Sequence, residues 1–274
     1  MNRAAVLGSP IAHSLSPVLH RAGYAALGLA DWAYDSHQVE ADELAVFVAG
    51  LNSEWRGLSL TMPLKVVCLQ VADEVTATAA RAEAGNTLVS LGDGRWRADN
   101  TDIAGVIGAL QGLWPPGCTR AVVLGAGATA RSALLALAAL GVREVSLRAR
   151  DLRKATALLD WVVGLSVGIH GGTVGALADW GRGGEPVVVS TLPPQAAAAS
   201  GIGGRKGGLL LDVVYADWPT PLARAAAASG MTVVSGLDML VHQAARQFEL
   251  FTGWPAPIEA MLVAGRAALG RDTR

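Results

Sequence analysis

Arg120-Ala121-Val122-Val123-Leu124-Gly125-Ala126-Gly127-Ala128-Thr129-Ala130 decides the fold of this chain. The apolar, β-branched run to Leu124 reads as a buried strand, and Ala128–Leu140 reads as a helix rich in Ala and Leu that stops at Gly141. Between them lies G-x-G-x-x-A. In a strand-to-helix turn Gly125 permits the tight bend, Gly127 lets a ligand approach the backbone, and the small Ala130 allows the helix to lie close to its strand. The N–H groups of Ala128 and its neighbours then form an anion site of the kind that receives a pyrophosphate. The pattern alone is weak, but its place between a strand and a helix gives it weight.

The stretches that follow extend the unit. Glu144–Leu147 reads as a strand and Leu152–Val163 as a helix, with further buried strands at Val187–Thr191 and Leu209–Val214. Apolar strands alternating with helices predict a parallel sheet covered on both faces. The glycines from Gly201 to Gly208 read as a loop. The second strand ends Leu147-Arg148-Ala149-Arg150-Asp151. Its cationic cluster, with Arg150 foremost and Arg153 and Lys154 close behind, suits a 2′-phosphate and hence NADP. Two plainer alternatives stay open: Asp151 as the N-cap of the next helix and Arg153 as solvated surface.

Upstream, strand and helix signals also alternate. Strands are expected at Arg3–Gly8, Trp32–Val39 and Gly57–Leu60, and a hairpin joins Asn86–Leu91 to Arg95–Ala98 around Gly92-Asp93-Gly94. Ser16-Pro17 reads as the start of a helix, Ser16 as its N-cap, with Val18, Leu19, Ala22, Ala25, Ala26 and Leu29 on the apolar face. Helices are expected at Asp42–Leu51, Pro63–Val71 and Thr101–Leu113, and two amphipathic ones, Leu237–Phe251 and Pro257–Leu269, follow the last strand. Pro115-Pro116-Gly117 marks a linker.

Composition narrows the class. With 51% hydrophobic and 16% charged residues the chain can bury a sizeable core, and its length suits one large domain or two ordinary ones. A net charge of −1 without a basic patch argues against nucleic-acid and membrane-surface partners. The two cysteines, Cys68 and Cys118, have no metal-ligand partner nearby and read as free thiols of a cytoplasmic protein. None of the five histidines has ligand spacing, so no metal is expected. His13 reads as a structural group in a turn. Of 22 basic residues only Lys65, Lys154 and Lys206 are lysines, which singles out Lys65, because an arginine does not release a proton.

Several motifs in order along the chain carry a resemblance. They are Ser9-Pro10-Ile11-Ala12-His13-Ser14-Leu15-Ser16-Pro17, Thr61-Met62-Pro63-Leu64-Lys65, Gly85-Asn86-Thr87, Asp99-Asn100-Thr101-Asp102, Asp212-Val213-Val214-Tyr215 and Gly236-Leu237-Asp238-Met239-Leu240-Val241-His242-Gln243. Arranged around the Gly-rich turn, they resemble the shikimate dehydrogenase family over nearly the whole chain. The resemblance implies an α/β protein: an N-terminal α/β substrate domain (1–102 and 236–274), a Rossmann-type NADP-binding domain (103–235), and C-terminal helices that return to the first. It implies NADP-dependent, reversible reduction of 3-dehydroshikimate to shikimate in aromatic amino-acid (chorismate) biosynthesis, by a monomer or homodimer.

Carried onto this chain, the resemblance makes Lys65 and Asp102 the catalytic pair. Ser14, Ser16, Thr61, Asn86, Tyr215 and Gln243 become substrate contacts. Gly125, Gly127, Ala128, Ala130, Arg150, Arg153, Thr191, Val213, Gly236 and Met239 become cofactor contacts. The chemistry agrees: as hydride reaches a ketone carbon, charge grows on oxygen, where an ammonium stabilises it and delivers a proton. Tyr215 and Gln243 read equally as packing, and Met239 as core. Ser59, Arg21, Ala149, Asp151 and Ile103 depart from the family's commonest pattern. Ser59 and Arg21 keep open a quinate or aminoshikimate dehydrogenase, and Ala149 and Asp151 keep open NAD preference. A non-catalytic dinucleotide sensor on the same fold is the alternative from another class.

Overall fold

The computed structural model describes residues 1–179, 186–193, 196 and 205–270. Gly201, Gly203 and Gly204 of the glycine-rich segment lie outside the described residues. The chain divides into two compact units, Met1–Gly105 with Leu240–Arg274, and Val106–Met239.

The first unit is built on six strands: β1 (Asn2–Gly8), β2 (Trp32–Gln38), β3 (Trp55–Leu60), β4 (Glu74–Val75), β5 (Thr87–Ser90) and β6 (Trp96–Asp99). Their order is β2-β1-β3-β5-β6-β4. β1 runs parallel to β2 and β3, while β5 is antiparallel to β3 and β6. Alternation along β1 serves two cores. Ala5 and Leu7 meet α2 (Leu44–Ala49) and α3 (Leu64–Val71) through Leu44, Val48, Leu64 and Cys68. Ala4 and Val6 face the other way, into a cluster with Tyr24 of α1 (Ser16–Ala26) and Tyr34.

Phe248 and Phe251 complete that second cluster. They belong to a long helix, Gly236–Thr252, whose residues from Leu240 onward are part of the first unit. Gly57 makes the seat for Phe251: a Cβ there would stand 2.0 Å from the ring's Cδ1. The C-terminal helix Ile258–Ala268 adds Met261, which is fully buried.

Two local expectations change. Ser16 is the first residue of α1 and not its cap; the N-cap is Leu15, without a side-chain hydrogen bond. The buried face of α1 is Ser16, Leu19, His20, Gly23 and Tyr24, whereas Val18, Ala25 and Ala26 are exposed. The spacing is helical, but polar and glycine residues occupy the inner stripe, so counting apolar residues rotates the helix the wrong way. Two short elements also carry no expectation from the pattern. These are β4 and α4 (Ala77–Ala82), whose cap Thr76 Oγ1 accepts from Ala79 N–H at 3.2 Å.

The second unit holds β7 (Arg120–Leu124), β8 (Glu144–Ala149), β9 (Gly171–Ala176), β10 (Val187–Ser190), β11 (Leu209–Asp212) and β12 (Thr232–Ser235). Every pairing is parallel, and the order is β12-β11-β10-β7-β8-β9. Counted from β7 and read from the β9 edge, this is 3-2-1-4-5-6, the doubly wound arrangement. The division between units falls inside α5 (Asp102–Leu110) and inside the Gly236–Thr252 helix. Among the described residues the next helices are α6 (Ala128–Ala139), α7 (Leu152–Gly164) and α8 (Pro221–Ala228); the Gly236–Thr252 helix is labelled α9 and Ile258–Ala268 α10. Among the described residues no helix is long and apolar enough to cross a membrane.

Candidate active site

In the first unit, strand register brings separate motifs together. β5 and β6 pair Thr87 with Asp99, and Asn86 N–H donates to the Asp99 carbonyl at 3.0 Å. The segments Asn86-Thr87 and Asp99–Asp102 therefore run side by side. From the opposite direction β3 ends at Leu60, whose N–H donates to the Asn86 carbonyl at 2.7 Å. Thr61 follows, held by its N–H to the Leu7 carbonyl at 2.9 Å, and α3 begins at Leu64. Gly85 N–H donates to the Lys65 carbonyl at 2.7 Å, tying the first turn of α3 to the start of β5.

The result is a Lys65 Nζ to Asp102 Oδ2 ion pair of 2.6 Å, with side-chain exposures of 18% and 6%. That burial separates it from the exposed pairs of this unit, such as Arg95 with Asp93. Asp102 is the first residue of α5, where the helix N-terminus favours a carboxylate. Its other oxygen accepts from Asn86 Nδ2 at 2.8 Å. Asn86 Nδ2 also lies 3.0 Å from Thr101 Oγ1 and 3.0 Å from Gln243 Oε1, and Asn86 Oδ1 accepts from Thr101 N–H at 2.7 Å. Lys65, Asn86, Asp102 and Gln243 thus form one hydrogen-bonded group. Gln243 also donates to the Leu240 carbonyl.

Ser14, Ser16 and Thr61 do not hydrogen-bond that group. Ser14 Oγ accepts from Ser16 N–H at 3.3 Å, while Ser16 is buried. His13 is exposed in its turn. Four participants carried no prior expectation: Thr101 and Thr87 beside Asn86, and Gln247 and Tyr34 beyond it. Gln247 stands four residues after Gln243 on α9. A helix places i and i+4 on one face, so that spacing was the available signal. Ser59, singled out only as a departure, donates to Gln247 Oε1 at 2.8 Å.

In the second unit β7 and β10 are neighbours, and their carboxyl ends mark the point where strand order reverses, the usual ligand crevice of such sheets. Gly125 has φ +108°, and a Cβ on it would lie 2.4 Å from Thr191 Oγ1. Thr191 reaches that position because both its N–H and its hydroxyl donate to the Leu124 carbonyl, at 2.8 and 2.9 Å. α6 opens on Ala128 without a side-chain cap, Gly127 is exposed with open space around it, and Ala130 is fully buried. An uncapped twelve-residue helix behind a glycine turn fits a dinucleotide pyrophosphate.

Arg150 and Arg153 are exposed and, with Asp151 and Leu152, line an open depression. Asp151 caps α7, accepting from Lys154 N–H at 3.1 Å. Val213 follows β11, and its carbonyl would stand 2.0 Å from a Cβ on Gly236. Met239 is buried. Tyr215 is partly buried, which pushes its phenol up from the usual range. Nearby Asp212 is fully buried, and burial raises its carboxyl despite the 2.6 Å hydrogen bond from Thr220. Cys68 and Cys118 are buried free thiols, burial pushing Cys68 up to about 11. Among the described residues no three His, Cys, Asp or Glu side chains gather as a metal site would require.

A doubly wound unit with a dinucleotide turn, joined to an α/β unit that buries a Lys–Asp pair, defines a two-unit α/β protein of the Rossmann dehydrogenase type. Family models agree. Residues 6–88 match the shikimate dehydrogenase substrate binding domain, and residues 236–262 the shikimate 5'-dehydrogenase C-terminal domain. A shikimate dehydrogenase (NADP(+)) of Desulfitobacterium hafniense is 36% identical over 267 residues, 94% of each chain. The crystal structure of Mycobacterium tuberculosis shikimate dehydrogenase superposes with a TM-score of 0.86 at 47% identity, covering 98% of this chain and 100% of that one. The Thermus thermophilus shikimate 5-dehydrogenase, solved with NADP(H) and shikimate, gives 0.84 at 32% identity, with 98% and 100% covered. The chain belongs to the shikimate dehydrogenase family.

Proposed function

We propose that this protein catalyses the NADP-dependent, reversible reduction of 3-dehydroshikimate to shikimate, a step of aromatic amino-acid (chorismate) biosynthesis. Within a chain of this family, the buried Lys65–Asp102 pair is the observation that carries the reading. NADPH, when bound, supplies the hydride. Lys65 is the group that donates a hydrogen bond to the ketone oxygen and then its proton, as charge develops there. Asp102 holds the ammonium in place through Oδ2 while Asn86 fixes the carboxylate through Oδ1. In the oxidation direction the same pair accepts the hydroxyl proton.

Ser14 and Ser16 are assigned to the substrate carboxylate, and Thr61, Asn86, Tyr215 and Gln243 to the ring hydroxyls, since neutral donors and acceptors suit such groups. Gly125, Gly127, Ala128, Ala130, Thr191, Val213, Gly236 and Met239 are assigned to the dinucleotide, with Arg150 and Arg153 on its 2′-phosphate. The ligands are then a ring hydroxy-acid and NADP(H), with no nucleic-acid or membrane partner. Two buried free thiols favour a reducing, cytoplasmic setting. Two of the departures have structural work of their own: Asp151 caps α7 and Ser59 bonds Gln247.

The test is the initial rate of nicotinamide reduction with shikimate or quinate and either oxidised cofactor. Turnover of shikimate with NADP⁺ is expected; preference for quinate or NAD⁺, or no turnover at all, overturns the assignment. Lys65→Ala is expected to lower kcat at least about 100-fold with little change in KM, the usual range for a proton-transfer group. An unchanged kcat with a raised KM would reduce Lys65 to a binding group.

A further inference from the structure

We propose that Gln247, Ser59 and Tyr34 form a buried, one-directional hydrogen-bond relay that positions Asn86 and, through it, the Asp102 carboxylate. The relay rests on the functional reading above and names residues to which that reading gives no role.

Two backbone groups set its direction. Thr101 N–H can only donate, and it meets Asn86 Oδ1 at 2.7 Å, so the Asn86 amide nitrogen must face Asp102 Oδ1. The Asn86 carbonyl can only accept, and it meets Gln247 Nε2 at 3.0 Å, so Gln247 Oε1 must face the other way. A carboxamide oxygen has no proton, hence Ser59 is the donor in its 2.8 Å contact with Gln247 Oε1. With the Ser59 proton engaged, Tyr34 donates to Ser59 Oγ at 2.6 Å. On the other side Thr87 Oγ1 accepts from Gln247 Nε2 at 3.0 Å and spends its own proton on Asn86 Oδ1 at 2.9 Å.

Every hydroxyl rotor and both amide flips are therefore determined. The sequence of donors is Tyr34, Ser59, Gln247, Thr87, Asn86, ending on the carboxylate of Asp102. Its members are at most 4% exposed. In such a low-dielectric chain each bond polarises the next, and the dipoles all present their positive ends toward the anion. The middle member of the relay, Gln247, comes from α9.

The test compares the wild type with Gln247→Met, Ser59→Ala, Ser59→Thr and Tyr34→Phe, using shikimate, NADP⁺ and the folded fraction of each preparation. Wild-type turnover is the control for the functional reading; its absence would defeat that reading regardless of the variants. With wild-type turnover present, Gln247→Met is expected to lower kcat about tenfold, the scale of buried polar groups left without a partner, with KM within about threefold. Ser59→Ala should do the same to a smaller extent, Tyr34→Phe least, and Ser59→Thr, which keeps the hydroxyl, should restore the wild-type rate. The Asn86 side-chain amide resonances should move in Ser59→Ala and return in Ser59→Thr. Should Gln247→Met not fold, the near-isosteric Ser59 and Tyr34 variants decide the matter. Loss of thermal stability with kcat per folded enzyme and Asn86 resonances unchanged would overturn the relay and leave these residues as packing.

Discussion

His20 offers a sharp test of the first unit's core. Its imidazole is fully buried and stacks on Tyr34 with ring centroids 4.1 Å apart and planes 12° from parallel. Phe251 and Phe248 lie at 5.8 and 6.2 Å. Neither ring nitrogen has a hydrogen-bond partner, and burial lowers the imidazole to about 3; the neighbouring Gln247 opposes that shift only in part. The sign follows from linkage. The unfolded chain takes up a proton as pH falls through about 6.5, while the folded chain does not until about 3. His20's contribution is therefore intact above 6.5 and is lost on acidification through that window, at about 1.4 kcal/mol per pH unit. Between pH 6 and pH 4 this amounts to about 2–3 kcal/mol.

His20→Leu removes the titration and roughly keeps the volume. Hydrogen exchange of β1 amides, compared between variant and wild type at the same pH, cancels both the intrinsic exchange rate and the carboxylates common to the two proteins. The variant should gain about 2–3 kcal/mol of protection relative to wild type between pH 6 and 4. Parallel curves would refute the reasoning, because they would mean that His20 is charged, or solvated, in the folded state. The Tyr24 and Tyr34 phenols beside it are both raised by burial and stay neutral across this range.

Other outcomes follow from the same geometry. Gly57→Ala places a Cβ inside the Phe251 ring's space and should destabilise the first unit by about 1–3 kcal/mol, read as a lower Tm; an unchanged Tm would mean that α9 shifts freely on the sheet. Thr220→Val removes both the α8 cap and the 2.6 Å hydroxyl hydrogen bond to Asp212 Oδ2, weakening the support of a buried carboxylate; a loss of about 2–4 kcal/mol is expected in urea unfolding of the second unit, against near-neutrality if Asp212 is solvated. Arg150→Ala should raise KM for NADP⁺ about tenfold while leaving NAD⁺ kinetics unchanged; equal effects on both would place Arg150 away from the 2′-phosphate.

The sequence by itself determined the local units. The Gly-rich turn between an apolar strand and an Ala/Leu helix announces a βαβ series, because tight bending and close helix–strand packing impose residue types within a dozen positions. The rarity of lysine picked out Lys65. Thr220-Pro221 holds an N-cap and a first-turn proline for α8, a local signal from which no helix was expected. β9 had no such mark: Gly171-Gly172-Thr173-Val174-Gly175-Ala176 lacks a side-chain period and becomes a strand because β8 offers its edge. The inner face of α1 was likewise decided from outside, by the aromatic cluster that accepts His20 and Gly23. Tertiary structure alone joined Ser59 to Gln247 across 188 positions and Asn86 to Gln243 across 157. Periodicity and capping act over a few residues. A buried amide finds its partner only where strand order and a returning helix bring distant segments together, so the hydrogen bonds around the Lys65–Asp102 pair belong to the topology.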